Sequence, residues 1–156
     1  KPMTQESLAT RLKDFFENHE LAKKAARSIK DGREIQLNVD QNTFTFTKTG
    51  GHNSLNESSP KEPDFVFDIP SATADQLTSG SFKSVGEVGI FLFQKILSDN
   101  PAEKVRVRVK TGIITLVLSG YLGVLSEGGA EVAKFLAQRG LSNPSKIKDA
   151  LAKLRG

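Results

Sequence analysis

The chain has 156 residues, of which 37% are hydrophobic and 26% charged, a composition typical of one folded domain rather than of a disordered segment. Its net charge of +4 comes from 22 basic and 18 acidic residues in mixed order, so it demands neither nucleic acid nor an anionic membrane as a partner. The absence of cysteine excludes disulfides, thiolate metal ligands and a cysteine nucleophile.

Residues 4–30 are predicted to form two helices. In the first, Leu8, Leu12, Phe15 and Phe16 recur at spacings of three and four, which places them on one apolar stripe. The second has an apolar stripe from Leu21 to Ile29 and ends at Asp31–Gly32, where glycine suits the end of a helix.

Four later runs alternate apolar and polar residues with a period of two, which predicts strands with one apolar and one polar face. They cover residues 34–40, 43–47, 64–69 and 104–110. The polar link Asp40–Asn42 predicts an antiparallel hairpin between the first two. Residues 49–63 are rich in Gly, Asn, Ser and Pro, which predicts a surface loop.

The segment Ser84–Leu97 is apolar nearly all round. This indicates a helix that is buried on more than one side or that contacts a ligand, although the run Ile90–Phe93 alone would equally suit a buried strand. A short helix is predicted before it, from Ser71 to Thr78.

A fifth strand is predicted at 113–118, joined to the fourth by a hairpin at Thr111–Gly112. Helices follow at 130–139 and 144–154, the last with Asn143 as its cap. The predicted fold is therefore a single α+β domain over residues 1–156, with a five-stranded, mainly antiparallel sheet covered on one face by helices. Residues 33–139 supply the sheet and its helices.

The longest apolar stretch, Ile113–Leu125, is interrupted by glycine and serine and is shorter than the roughly 20 residues of a membrane-spanning helix. The sequence also shows no apolar signal core after Lys1. We therefore expect a soluble protein. We also expect a cytoplasmic location, although a chain without cysteine fits a reducing cytosol and an oxidising compartment equally well.

Two adjoining segments resemble a known family. Pro63-Asp64-Phe65-Val66-Phe67-Asp68-Ile69, followed by Ser71-Ala72-Thr73-Ala74-Asp75-Gln76-Leu77-Thr78-Ser79-Gly80, looks like a stretch of the sterol carrier protein type two family of small lipid-binding domains. In that family the equivalent stretch is a strand and a small helix that lead toward a ligand tunnel. The resemblance covers roughly residues 8–110, and it implies an SCP-2-like fold that binds a lipid.

No catalytic motif is present. His19 and His52 lie in a predicted helix break and a predicted loop, and both are expected at the surface. Asp64 and Asp68 share one strand face, where we expect solvation and pairing with Arg106 and Arg108 across the strands. The sequence thus predicts a protein that is not an enzyme and that needs no metal and no cofactor.

The most concentrated positive patch lies on one face of the strand at 104–110. Its four cations are Lys104, Arg106, Arg108 and Lys110. We expect a solvated or salt-bridged face, and anionic lipid or nucleic acid remain alternative partners. Nucleic acid is disfavoured, because no aromatic side chain stands between the cations to stack a base.

The apolar strand faces and the segment that covers them supply the predicted ligand-binding residues. These are Phe44, Phe46, Phe65, Phe67, Phe82, Ile90, Phe91, Phe93, Leu97, Leu116 and Leu118. We expect non-enzymatic binding or transfer of an apolar ligand, a fatty acyl chain or a sterol, between sheet and helices. The alternative is a protein-interaction or regulatory module whose core is filled and whose basic face docks a partner.

Overall fold

The computed structural model describes residues 7–141 and 143–153. In chain order the elements are α1 (Leu8–Asn18), α2 (Glu20–Ala25), β1 (Glu34–Val39), β2 (Asn42–Thr49), β3 (His52–Asn56), β4 (Phe65–Ile69), α3 (Ser71–Ser79), α4 (Val85–Ile96), β5 (Arg106–Val109), α5 (Ile113–Leu118), α6 (Tyr121–Glu127), α7 (Gly129–Ala137) and α8 (Pro144–Lys153). Residues 4–6 of the predicted first helix and residue 154 of the predicted last helix lie outside the described residues.

The strands form one five-stranded sheet in the order β3-β2-β1-β4-β5. The central pair, β1 and β4, is parallel, and the other three pairs are antiparallel. The predicted α+β fold with a mainly antiparallel sheet is thus confirmed.

The strand register collects the apolar side chains on one face. Leu37 lies between Phe44 on β2 and Phe67 on β4, and Ile35 lies between Phe46 and Phe65 in the same way. Paired residues of adjacent strands point to the same face of a sheet. The helices cover this apolar face, and the core of the protein lies between the two layers.

Strand β3 corrects the prediction of a loop over 49–63. Gly50 and Gly51 both have positive φ angles, 58° and 81°, and form the two-residue turn of a hairpin. Leu55 points into the core. Side chains of α1 cover this edge strand, since Lys13 Nζ donates to Leu55 O at 2.9 Å and Leu55 N donates to Glu17 at 2.8 Å.

Helix α5 corrects the prediction of a strand at 113–118. Its buried residue is Leu116, whereas Ile114, Val117 and Leu118 are exposed. This burial pattern follows a helical period and not the alternation of a strand, a distinction that a six-residue apolar run does not reveal. The sheet nevertheless has five strands, because β3 is the fifth.

Helix α4 confirms the prediction of a helix buried on several sides. Phe91 packs edge-on against Phe82, with 5.3 Å between the ring centroids, while Phe93 stacks on Phe135 of α7 at 6.0 Å. A third side, which carries Val88 and Leu92, faces the sheet.

Candidate ligand-binding cavity

A cavity of about 200 Å³ lies between the apolar face of the sheet and the helices above it. Eighteen of the described residues line it, and every one of them is apolar. They are Phe15, Phe16, Leu21, Ala22, Ala25, Ala26, Ile29, Ile35, Leu37, Phe46, Phe67, Ile69, Leu77, Val88, Leu92, Ile96, Val105 and Val124.

The cavity leaves the middle of the sheet only partly covered. Ile35 and Phe67 lie on the inner strands β1 and β4, beneath the helices, yet both are only half-buried. Core side chains normally interdigitate and leave few voids larger than a water molecule. The accessibility of these two side chains therefore follows from the space that the helices leave above them.

Small side chains on α2 and just beyond it help to create this space. Ala22, Ala25 and Ala26 all line the cavity, where longer side chains would reach toward the sheet. The sequence carried this signal as three alanines in the second helix, but the prediction placed the site on the strands, on Phe82 and on residues 84–97. It therefore did not include the cavity residues of α1 and α2, among them Phe15 and Phe16.

Of the predicted ligand-binding residues, Phe46 and Phe67 line the cavity. Phe65 stacks on Phe67 at 5.8 Å and meets Tyr121 edge-on at 5.0 Å, so it is part of the aromatic packing beside the cavity. Phe44 is buried on the same sheet face, near Leu55 and α1.

The other predicted residues lie elsewhere. Phe82 and Phe91 form the pair already described, and Ile90 and Phe93 pack against α7. Leu116 is buried in the core, whereas Leu97 and Leu118 are exposed. None of these seven residues lines the cavity.

Helix α6 forms part of the cavity wall through Val124 and is held against the segment that follows α2. Ser28 Oγ donates to Gly120 O at 2.7 Å, and Lys30 N donates to Ser119 O at 3.0 Å. Gly120 has a φ of +89°, and a Cβ there would lie 1.9 Å from Ser28 O. Only glycine allows this approach of the two backbones.

A buried polar group ties α6 to the sheet. Asp64 is 1% exposed, accepts from Arg33 Nε at 2.9 Å, and accepts from the Tyr121 hydroxyl at 2.6 Å. The hydrogen bond to Asp64 raises the pKa of Arg33, and burial together with that carboxylate raises the pKa of Tyr121. Pairing of Asp64 with the basic strand, as the sequence suggested, was wrong, because Asp64 points into the protein instead.

The basic residues of the predicted docking face differ in their surroundings. Lys104 donates to Ile96 O at the end of α4, and Arg108 lies 3.9 Å from Asp68, as predicted for that pair. Arg106 and Lys110 are exposed. Because β5 is an edge strand, exposed cations on it also discourage pairing with another sheet.

The described residues hold no group of three or more His, Cys, Asp or Glu side chains that could bind a metal ion. His19 caps α2 by accepting from Leu21 N at 3.1 Å, and His52 is exposed at the start of β3. Within the described part of the chain, no helix has the length and apolar character needed to cross a bilayer.

Fold and cavity together define an α+β protein with an apolar, partly open pocket between a sheet and its helical cover. Compared with protein-family models, with curated proteins and with solved structures, the chain matches none.

Proposed function

We propose that this protein binds an apolar small molecule in the cavity and carries it through water. The observation that carries the proposal is the lining, in which every side chain is apolar, so that a guest finds apolar contacts and no hydrogen bond from a side chain. Burial of a guest there gains about 25 cal/mol for each Å² of apolar surface.

The volume favours one alkyl chain over a sterol. A cavity of about 200 Å³ is larger than an apolar cavity of about 150 Å³ that holds benzene, but smaller than the roughly 300–1,000 Å³ of drug-sized sites. A four-ring sterol belongs to the latter class. Since no polar side chain lines the cavity, a carboxylate or other head group would stay in water at its opening.

The resemblance to the sterol carrier protein type two family stays a prediction, since no comparison tests it. The interaction-module alternative required a filled core. The half-buried floor at Ile35 and Phe67 does not favour that alternative.

A chain-length series tests the proposal. Straight-chain carboxylates from roughly six to roughly sixteen carbons are titrated into the protein by calorimetry, and affinity should rise about fourfold per methylene until the cavity is full. Beyond that length the affinity should level off. Binding should also show the negative heat-capacity change of apolar burial.

Two matched variants locate the binding. Ala25→Phe places a ring in the cavity and should weaken binding at least about tenfold, because the ring occupies the space of several methylenes. Ala133→Phe, the same change at an exposed position on α7, should bind like the wild type. Thermal melts establish that both variants are folded.

Two results would overturn the proposal. One is the absence of saturable binding by the wild type at every chain length. The other is a folded Ala25→Phe variant that binds as tightly as Ala133→Phe.

A further inference from the structure

Helix α5 turns an apolar face to solvent. Ile114, Val117 and Leu118 are 76%, 43% and 64% exposed, and their spacing of three and four residues places them side by side. Among the described residues, the only other large hydrophobic side chain with such exposure is Leu97, which ends α4. Ile114, Val117 and Leu118 thus form one exposed apolar patch, which we call the α5 patch.

Basic residues surround the α5 patch, while the patch itself is uncharged. Residues 111–126 contain no charged side chain. Exposed Lys110 precedes α5, and exposed Lys30 is held beside its end by the hydrogen bond to Ser119. Helix α8 lies against α5 and carries the exposed Lys146 and Lys153.

Acidic residues near the α5 patch do not cancel this charge. Glu127 is paired with Arg27 at 2.8 Å, so this pair adds no net charge, whereas Asp31, which accepts from Gly51 N at 3.0 Å, keeps its negative charge and offsets only the neighbouring Lys30. Asp149 is the single acidic residue of α8, whose ten residues include three lysines. The surroundings of the patch are therefore positive.

A second copy of this chain is a poor occupant for so small a patch. A stable protein interface uses roughly 20–30 residues on each side, whereas α5 offers three outward side chains. An anionic membrane fits better, because apolar side chains insert at the boundary between head groups and acyl chains while lysines contact the lipid phosphates.

We propose that α5 docks the protein on anionic phospholipid membranes, with Ile114 and Leu118 inserted and with Lys30, Lys146 and Lys153 facing the head groups. The proposal goes beyond ligand binding in the cavity and does not depend on it. Helix α6 follows α5 directly and carries Val124 into the cavity wall, so a docked α5 would bring that wall to the membrane.

Vesicle sedimentation with the full chain tests the proposal. The protein should sediment with vesicles of phosphatidylcholine mixed with phosphatidylserine, but not with phosphatidylcholine alone, and added salt should release it. The double variant Ile114→Gln and Leu118→Gln should bind at least about tenfold more weakly. Leu97→Gln removes an equally exposed apolar side chain outside the patch and should bind like the wild type.

Two further variants test separately the contribution of a basic side chain to vesicle affinity and the insertion of α5 into the bilayer. Lys146→Gln should lower vesicle affinity about fivefold, the contribution of one lysine near an anionic surface. Because the chain has no tryptophan, Leu118→Trp provides a single reporter, whose emission should shift to the blue on phosphatidylserine vesicles.

Three outcomes would overturn the proposal. The wild type could fail to sediment with the vesicles that contain phosphatidylserine, or the double variant could bind these vesicles as tightly as the wild type does. Analytical ultracentrifugation could instead show a dimer that the double variant abolishes, which would assign the α5 patch to a second copy. The three side chains are exposed, so the variants should keep the wild-type melting temperature.

Discussion

The hydroxyl of Tyr121 donates a hydrogen bond of 2.6 Å to the carboxylate of Asp64. Asp64 immediately precedes β4, and Tyr121 is the first residue of α6. The bond therefore connects the floor of the cavity to one of its walls. Asp64 is buried, so its charge depends on this hydrogen bond and on Arg33 for the stabilisation that water would otherwise provide.

Tyr121→Phe should lower the free energy of unfolding by about 1.5–3 kcal/mol, the range for a hydrogen bond to a charged group. The aromatic contact with Phe65 remains in this variant, so the loss reports on the hydroxyl alone. Urea denaturation measures the change. Asp68→Asn is the control, because Arg108 is 3.9 Å away and both side chains are about half exposed, and because the variant's amide oxygen still accepts the hydrogen bond from Asn38 Nδ2, which limits the loss to about 0.5 kcal/mol. Equal losses of unfolding free energy in the two variants would show that the buried hydrogen bond stabilises the fold no more than the surface pair does.

The Tyr121 hydroxyl also predicts how the free energy of unfolding depends on pH. Burial and the hydrogen bond to Asp64 raise the pKa of Tyr121 above its ordinary value of 10.0. Above about pH 10 the unfolded chain loses this proton while the folded protein keeps it, so the free energy of unfolding falls as the pH rises. We expect a smaller fall in Tyr121→Phe than in the wild type. The two proteins differ in this one group, so a difference between their profiles of unfolding free energy against pH isolates the phenol, and parallel profiles would contradict the prediction.

Gly120→Ala and Gly32→Ala form a matched pair. Both glycines have positive φ angles, +89° and +86°, which cost an alanine about 1–2 kcal/mol. A Cβ at position 32 meets no atom within 4 Å, whereas one at position 120 would lie 1.9 Å from Ser28 O. We expect Gly120→Ala to lose at least about twice as much stability as Gly32→Ala, because backbone must also move. Thermal and urea melts compare them, and similar losses would show that α6 does not depend on this close approach.

Gly120→Ala should also weaken binding to the cavity if it remains folded, because α6 must shift and Val124 moves with it. Gly32→Ala should bind like the wild type. Calorimetry with the best-binding carboxylate measures both. Unchanged affinity in a folded Gly120→Ala variant would separate the position of α6 from ligand binding.

Four of the five strands could be predicted from the sequence, because in each of them every second side chain is apolar and faces the helices. The run Phe65–Ile69 illustrates this, since it pairs with β1 on one side and β5 on the other. Strand β3 escaped prediction because Leu55 is its one buried apolar residue. Its stability comes from the Gly50–Gly51 turn and from the side chains of Lys13 and Glu17.

The candidate site was less predictable than the sheet. Periodicity identifies which residues face inward, but it does not tell whether the opposing side chains meet. Phe67 faces the cavity and Phe93 faces α7, although both belong to runs that looked equally apolar. The difference depends on the distance that α2 and α4 keep from the sheet, which is a tertiary property.

Lys48 is a further case in which the tertiary structure overrides the pattern. The alternating run predicted a strand that ends at Thr47, yet β2 extends to Thr49, and Lys48 is 7% exposed. Its ammonium donates to Ala26 O at 3.1 Å and to Arg27 O at 3.0 Å, just beyond the end of α2. The aliphatic stem fills the core face, while the head group bonds to Arg27 O and adds a second hydrogen bond to Ala26 O, which also accepts from Ile29 N.

Lys48→Met keeps the stem and removes the donors, so it should lower the free energy of unfolding by about 1–3 kcal/mol in urea titrations. Lys23→Met is the matched control. Lys23 is about half exposed and pairs with Glu20 on the surface of α2, so its loss should stay below about 0.5 kcal/mol. Since Ala26 also lines the cavity, a loosened end of α2 should weaken binding of the carboxylate in Lys48→Met but not in Lys23→Met. A Lys48→Met protein as stable as the wild type would mean that water replaces the ammonium at these carbonyls.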